Sequence, residues 1–142
     1  MMKETTIELQ SSEHLWELLD KKIDAIFIRK FNPNEALAWW KTDIVVQGTL
    51  LKNISVRQME FDINTNLEGL KTLLALNTYN MAIYQFEKAV PDTLNIDGPE
   101  PGRLKILRQN GLHHIFFVNY EFVTISSFDE DFINALENIR KD

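Results

Sequence analysis

Asn110-Gly111, set between apolar runs, constrains this chain more than any other pair of residues. Both residues accept positive φ, and Asn-Gly between hydrophobic runs is the strongest short signal for a hairpin reversal. The runs are Leu104 to Leu107, Leu112 to Val118 and Phe122 to Ser126, with Asn119-Tyr120-Glu121 dividing the last two. This spacing predicts a three-stranded antiparallel meander. Ser127-Phe128-Asp129-Glu130 then has the S-x-x-E form of a capping box, in which serine and glutamate side chains satisfy backbone amides at a helix start. Phe128, Phe132, Leu136 and Ile139, with Ile133 beside them, recur at helical spacing. A helix with that stripe should lie across one face of the sheet.

Upstream, Thr5 to Gln10 alternates as a short strand, and Ser11 or Ser12 can cap a helix carrying Leu15, Leu19, Ile23 and Trp16. That helix ends near Lys21-Lys22, where cations suit the helix dipole. Asp24 to Arg29 reads as a second strand, and Asn32-Pro33-Asn34 as a turn into a short helix through Trp39 and Trp40. Ile44–Leu51 and Ile54–Ile63 read as a hairpin with its tip at Lys52-Asn53. Because Ile54 and Val56 differ in parity from Met59, Phe61 and Ile63, a β-bulge is expected near Arg57-Gln58. Thr65-Asn66-Leu67-Glu68 is a second capping box, opening a helix with Leu67, Leu70 and Leu74 on one side. Tyr79 to Val90 fits a helix stripe and is expected as a helix broken or kinked about Asn77 to Asn80, while Met81 to Phe86 within it is also an acceptable strand. Pro91 to Gly102 is the clear loop, within the domain rather than between domains. Together these elements make one α+β domain over residues 1–142: mainly antiparallel sheet, helices packed on one face, and a C-terminal three-stranded meander followed by a helix.

With Lys+Arg 15 against Asp+Glu 21, the net charge is −6, which repels a polyanion on average and argues against a nucleic-acid partner. There is no cysteine, which excludes disulfides, thiolate chemistry and Cys-containing zinc sites. The first ten residues lack the apolar core of a signal peptide, and no apolar run is long enough to span a bilayer. A cytoplasmic protein is expected, with no membrane partner.

No G-x-S-x-G, G-x-x-x-x-G-K-[ST], G-x-G-x-x-G or H-E-x-x-H occurs. His113 and His114 are adjacent on an expected strand and diverge to opposite faces unless the strand is distorted there; one should enter the core. Neither they nor His14 compose a metal site. Glu13/Glu17 and Glu60/Asp62 are carboxylate pairs at polar positions and carry no catalytic expectation. Asp129-Glu130-Asp131 is explained by a helix start. Arg103, Lys105 and Arg108 would protect an edge strand. The loop acids Asp97 and Glu100 flank Gly98 and Pro99 without EF-hand spacing, yet mark the one long loop and so a candidate binding surface.

Trp39-Trp40 is the aromatic feature that most invites a partner, since rings on neighbouring helical positions diverge by about 100° and tryptophan is enriched among interface anchors. These features predict a small acidic, non-catalytic interaction module of the inhibitor, immunity or adaptor kind. It would bind a protein, a basic one suiting its charge, through Trp39, Trp40, Asp97 and Glu100, without cofactor or metal. The alternative is a small-molecule site or enzyme with a pocket between sheet and helices, lined by Trp16, Phe27 and Tyr84 with one histidine as acid/base. Oligomeric state is not legible.

Overall fold

The strand that reads most ambiguously in the sequence lies in the middle of the sheet. The computed structural model describes residues 2–31, 44–46, 49–57, 60–76, 81–88, 102–119 and 121–141. In chain order these form β1 (Lys3–Glu8), α1 (Ser12–Leu18), β2 (Ala25–Phe31), β3 (Ile44–Val46), β4 (Thr49–Arg57), β5 (Glu60–Thr65), α2 (Leu67–Leu76), β6 (Met81–Phe86), α3 (Gly102–Gln109), β7 (Leu112–Val118), β8 (Phe122–Ser127) and α4 (Glu130–Lys141). The strands lie in the order β1-β8-β7-β6-β2-β5-β4-β3, and each described pairing is antiparallel. The α+β class and the antiparallel sheet ending in a helix are as the sequence predicts.

Every residue of β6 is buried, so both of its faces are covered and its apolar run shows no period of two. That is why Tyr79 to Val90 reads as a helix from its sequence, whereas Met81–Phe86 forms a strand. The C-terminal meander is β6-β7-β8, paired in that order. Its first strand is therefore 81–86 and not Leu104 to Leu107, which lie in α3. In α3 Leu107 is buried while Lys105, Ile106 and Arg108 are exposed, a helical pattern. Arg103, Lys105 and Arg108 thus belong to a helix and protect no strand edge.

The sheet separates two apolar layers. On one face α1, α2 and α4 deliver Leu15, Leu70, Leu74 and Ile133 onto Ile28, Ile83, Phe116 and Ile125. Burying side chains of this size contributes roughly 1.5–3 kcal/mol each. On the other face Phe27, Tyr84, Phe86 and Leu112 pack with Leu107 of α3. Three helices share one face, as expected; the fourth lies on the other.

Local signals were displaced rather than absent. The chain of β4 runs straight through Lys52-Asn53, where a hairpin tip was expected. Arg57 pairs with Glu60, so the change of apolar parity comes from the strand reversal, and the register irregularity falls at Asn53/Ser55. A second irregularity, between Gln85 and Phe86, leaves His113 as the extra residue of β7, because Gln85 pairs His114 and Phe86 pairs Leu112. Helix caps shift by one or two residues. Asn66 Oδ1, not Thr65, accepts from the Gly69 amide at 2.9 Å, and Asp129 Oδ1 accepts from Asp131 and Phe132 at the start of α4. Ser11 caps α1, accepting from the His14 amide at 3.2 Å, and the helix ends at Leu19, short of Lys21. Lys21 instead donates to the carbonyls of Leu19 and of Trp16, the latter also accepting from the Leu19 amide that closes the helix.

Gly111 has φ +92 and an added Cβ would lie 3.1 Å from Glu87 Cβ, beside the Glu87 amide's 2.8 Å bond to the Gly111 carbonyl. Gly111→Ala should therefore lower unfolding stability by about 1–3 kcal/mol in urea melts. Gly102, at the start of α3, has nothing within 4 Å of such a Cβ, and Gly102→Ala should change stability by no more than about 0.5 kcal/mol.

Candidate functional sites

Two arrangements stand out, one sealed inside the three-helix face and one open on the other. The sealed one begins with Gln85 and His114, cross-strand partners on β6 and β7 that are fully buried. Buried polar groups need partners, and both reach the turn after α1. Gln85 Nε2 donates to the carbonyls of Asp20 (2.8 Å) and Ile23 (3.2 Å), and its Oε1 accepts from the Asp20 amide at 3.1 Å. His114 Nε2 lies 2.9 Å from Asp20 Oδ2, and its Nδ1 2.7 Å from Ser127 Oγ. Phe132 of α4 stacks on the imidazole at 4.0 Å between ring centroids.

The tautomer follows from donor counting. Ionised Asp20 only accepts, so Nε2 carries the hydrogen and Nδ1 accepts from the Ser127 hydroxyl, whose single hydrogen is shared with the His113 carbonyl at 3.2 Å. Ser127 Oγ in turn accepts from the Asp129 amide at 2.8 Å, which is why this serine does not cap α4. Burial pushes the His114 imidazole below its ordinary value of 6.5, against the hydrogen bond and charge of Asp20. Burial acts to raise Asp20 as well, but its side chain keeps 17% exposure. The hydrogen bonds from His114 and the Lys22 amide prevail, leaving the carboxyl below 3.8.

Asp20, His114 and Ser127 have the residue types of a nucleophile triad. The geometry does not serve that chemistry, because Ser127 has no exposed surface and a nucleophile must meet its substrate. The network is a clamp, joining the α1–β2 turn, the central strands and the start of α4.

The open arrangement is a cleft of about 500 Å³ lined by Met2, Glu4, Tyr84, Leu104, Ile115, Phe117, Thr124 and Ser126. Its floor is two cross-strand rows. Ile115, Ser126 and Glu4 make one; Phe117, Thr124 and Thr6 the other. Ser126 donates to Glu4 Oε2 at 3.4 Å, and Thr6 and Thr124 hydroxyls lie 3.2 Å apart. Leu104 places α3 at one wall. Phe117 is 52% exposed, a large ring half in solvent beside Ile115 and Leu104.

Trp39, Trp40, Asp97 and Glu100 lie outside the described residues, and so does the helix expected through the two tryptophans. Phe117 and Glu4 were not singled out from the sequence. The signal for Phe117 was there, since adjacent Phe116 and Phe117 on a strand must point to opposite faces. What the sequence did not show is that the second face is only partly roofed. Among the described residues no three of His, Asp and Glu gather where a metal could be held, and no described helix is long and apolar enough to cross a membrane.

Both shifts in the clamp have the same sign. The unfolded chain takes up a proton at His114 near pH 6.5 that the folded chain binds only at lower pH, so stability is complete above 6.5 and falls as pH drops below it. Asp20 adds a loss below 3.8. The His114 slope is at most about 1.4 kcal/mol per pH unit. Urea melts from pH 7.5 to 5 should show it, and His114→Gln should flatten it. Ser127→Ala, which strips the partners from His114 Nδ1 and the Asp129 amide, should cost about 1–3 kcal/mol in the same assay at pH 7.5. No family model, curated protein or solved structure matches the chain, so a functional reading has to come from this geometry.

Proposed function

We propose that the protein is a non-catalytic interaction module that docks a partner protein on the cleft between α3 and β1. The observation that carries this reading is Phe117, half exposed in the middle of an apolar cleft on a rigid sheet. Exposed aromatic groups grouped with other apolar side chains mark binding surfaces more often than they mark inert exterior. Their strand positions hold them in place before binding, which reduces the ordering cost of association. The net charge of −6 suits a basic partner.

The alternative of a pocket lined by Trp16, Phe27 and Tyr84 with a histidine loses its parts to opposite faces. Trp16 packs with the three-helix layer, under the ammonium groups of Lys21 and Lys71. Phe27 and Tyr84 meet edge-on, with ring centroids 5.7 Å apart, on the other side of the sheet. His114 belongs to the first side, in the clamp.

Phe117→Ser tests the interaction reading. The variant should melt within about 4 °C of the native protein, the shift of roughly 1 kcal/mol or less in a chain of this size. It should also lose a stoichiometric partner that the native protein retains on affinity capture from its own cells. Retention of the same partner by Phe117→Ser, or a strong thermal stabilisation by a metabolite in place of any protein, would overturn it.

A further inference from the structure

We infer that the clamp is a proton-binding site that stays closed when His114 becomes charged, because the Ser127 hydroxyl can turn its hydrogen from His114 Nδ1 to the His113 carbonyl. Ser127 Oγ has three partners within hydrogen-bond reach: His114 Nδ1 at 2.7 Å, the Asp129 amide at 2.8 Å and the His113 carbonyl at 3.2 Å. A hydroxyl has one hydrogen to give and two lone pairs that accept. Beside a neutral imidazole, Nδ1 and the His113 carbonyl both face that one hydrogen, and one lone pair has no donor. With a hydrogen on Nδ1, the three contacts match what the hydroxyl can do. It accepts from His114 and from the Asp129 amide, and donates to His113. The His113 carbonyl is satisfied in either state, since the Phe128 amide also donates to it at 3.1 Å. Nε2 donates to Asp20 throughout. One proton enters from solvent, none is released, and no heavy atom has to move.

The surroundings of the ring accommodate the charge. Among the described residues two carboxylates act on the imidazole, Asp20 from the α1–β2 turn and Asp129 from the start of α4, against one like-signed group, His113 of β7. Lys22 acts on Asp20 and favours its ionised form. The cross-strand partners on β6 and β8 are the neutral Gln85 and Ser127. Phe132 stacks on the imidazole with 22° between the ring planes, and an aromatic face attracts a cation. Burial opposes protonation most strongly. The charged ring that results is paired with Asp20 and has both of its N–H groups bonded, the condition a buried ion pair must meet. Mild acid therefore lowers stability without opening the clamp, and β7 keeps the register that turns Phe117 to the cleft. None of this depends on what the cleft binds.

Labelling the histidine rings with ¹⁵N tests this. Long-range ¹H–¹⁵N spectra are taken from pH 7.5 to 5, with His114 assigned by its absence from His114→Gln. At pH 7.5 the ring should carry its hydrogen on Nε2 alone. Below pH 6.5 Nδ1 should gain a hydrogen while the amides of residues 20–23, 113–118 and 127–132 keep their protection from hydrogen exchange. Ser127→Ala removes the acceptor that a charged ring needs at Nδ1, and an unmet buried N–H costs more on the charged form. In that variant the His114 midpoint should fall by at least about one pH unit, a tenfold loss of proton affinity. A hydrogen on Nδ1 at pH 7.5, or unfolding of the chain before His114 titrates, would overturn the inference. So would exchange protection at residues 20–23 and 129–132 that disappears in step with the titration, or an unchanged midpoint in Ser127→Ala. If Ser127→Ala does not fold, the spectra of the native protein decide alone.

Discussion

The structure depends on a small polar clamp set in an apolar layer. Gln85 and His114, neighbours across β6 and β7, have no surface exposure, and their hydrogen-bonding groups are met by the Asp20 to Ile23 turn and by Ser127. A buried polar group left without a partner costs about 1–3 kcal/mol, whereas a satisfied one adds direction that apolar contacts lack. The clamp therefore fixes where α1 ends and where α4 begins relative to the central strands. Aliphatic side chains with Met81 and Phe116 fill the rest of that layer, and they would tolerate small shifts that these hydrogen bonds do not.

The two faces of the sheet are finished differently. One is roofed by α1, α2 and α4. On the other, α3 supplies Leu107 to a cluster centred on Tyr84 and Phe86, and the strip toward β1 keeps Phe117 in solvent. A sheet that needed only stability would place a polar residue at that position, as β8 does at Thr124 and β1 at Thr6, its cross-strand row-mates. That departure, with Phe122 of β8 exposed on the same face, is the physical basis for reading the strip as a docking surface.

How much of this could be read in the sequence varied by residue. Asn110-Gly111 does mark a tight reversal, with Gly111 at φ +92. The pair joins α3 to β7 rather than two strands, because Leu104 to Leu107 is too short for its apolar spacing to separate the two periods. Ser127 has the sequence context of a cap, yet its Oγ accepts from the Asp129 amide while its hydrogen turns to His114, and no local pattern reveals that partner. β6 was hidden by its position, since a strand buried on both sides loses the alternation that identifies strands. The clamp itself pairs Asp20 with His114 over 94 residues and had no local signature at all. Its only trace was the expectation that one of two adjacent histidines enters the core.

Clamp and docking strip meet on one strand, and this links stability to the proposed function. From His114 to Val118 the residues of β7 alternate without interruption, with His114, Phe116 and Val118 buried and Ile115 and Phe117 in the cleft. A slip of one residue would bury Phe117 and present Phe116 to solvent, exchanging the two faces. Apolar packing resists that slip weakly, since one phenylalanine would replace another. His114 resists it strongly, because the slip would part the imidazole from both Asp20 and Ser127 while leaving it, or its replacement, inside the sheet. The extra residue at His113, where the pairing with β6 becomes irregular, confines the disturbance to the end of β7 beyond the clamp. The orientation of Phe117 toward the cleft is thus held three residues away, by hydrogen bonds on the opposite side of the sheet.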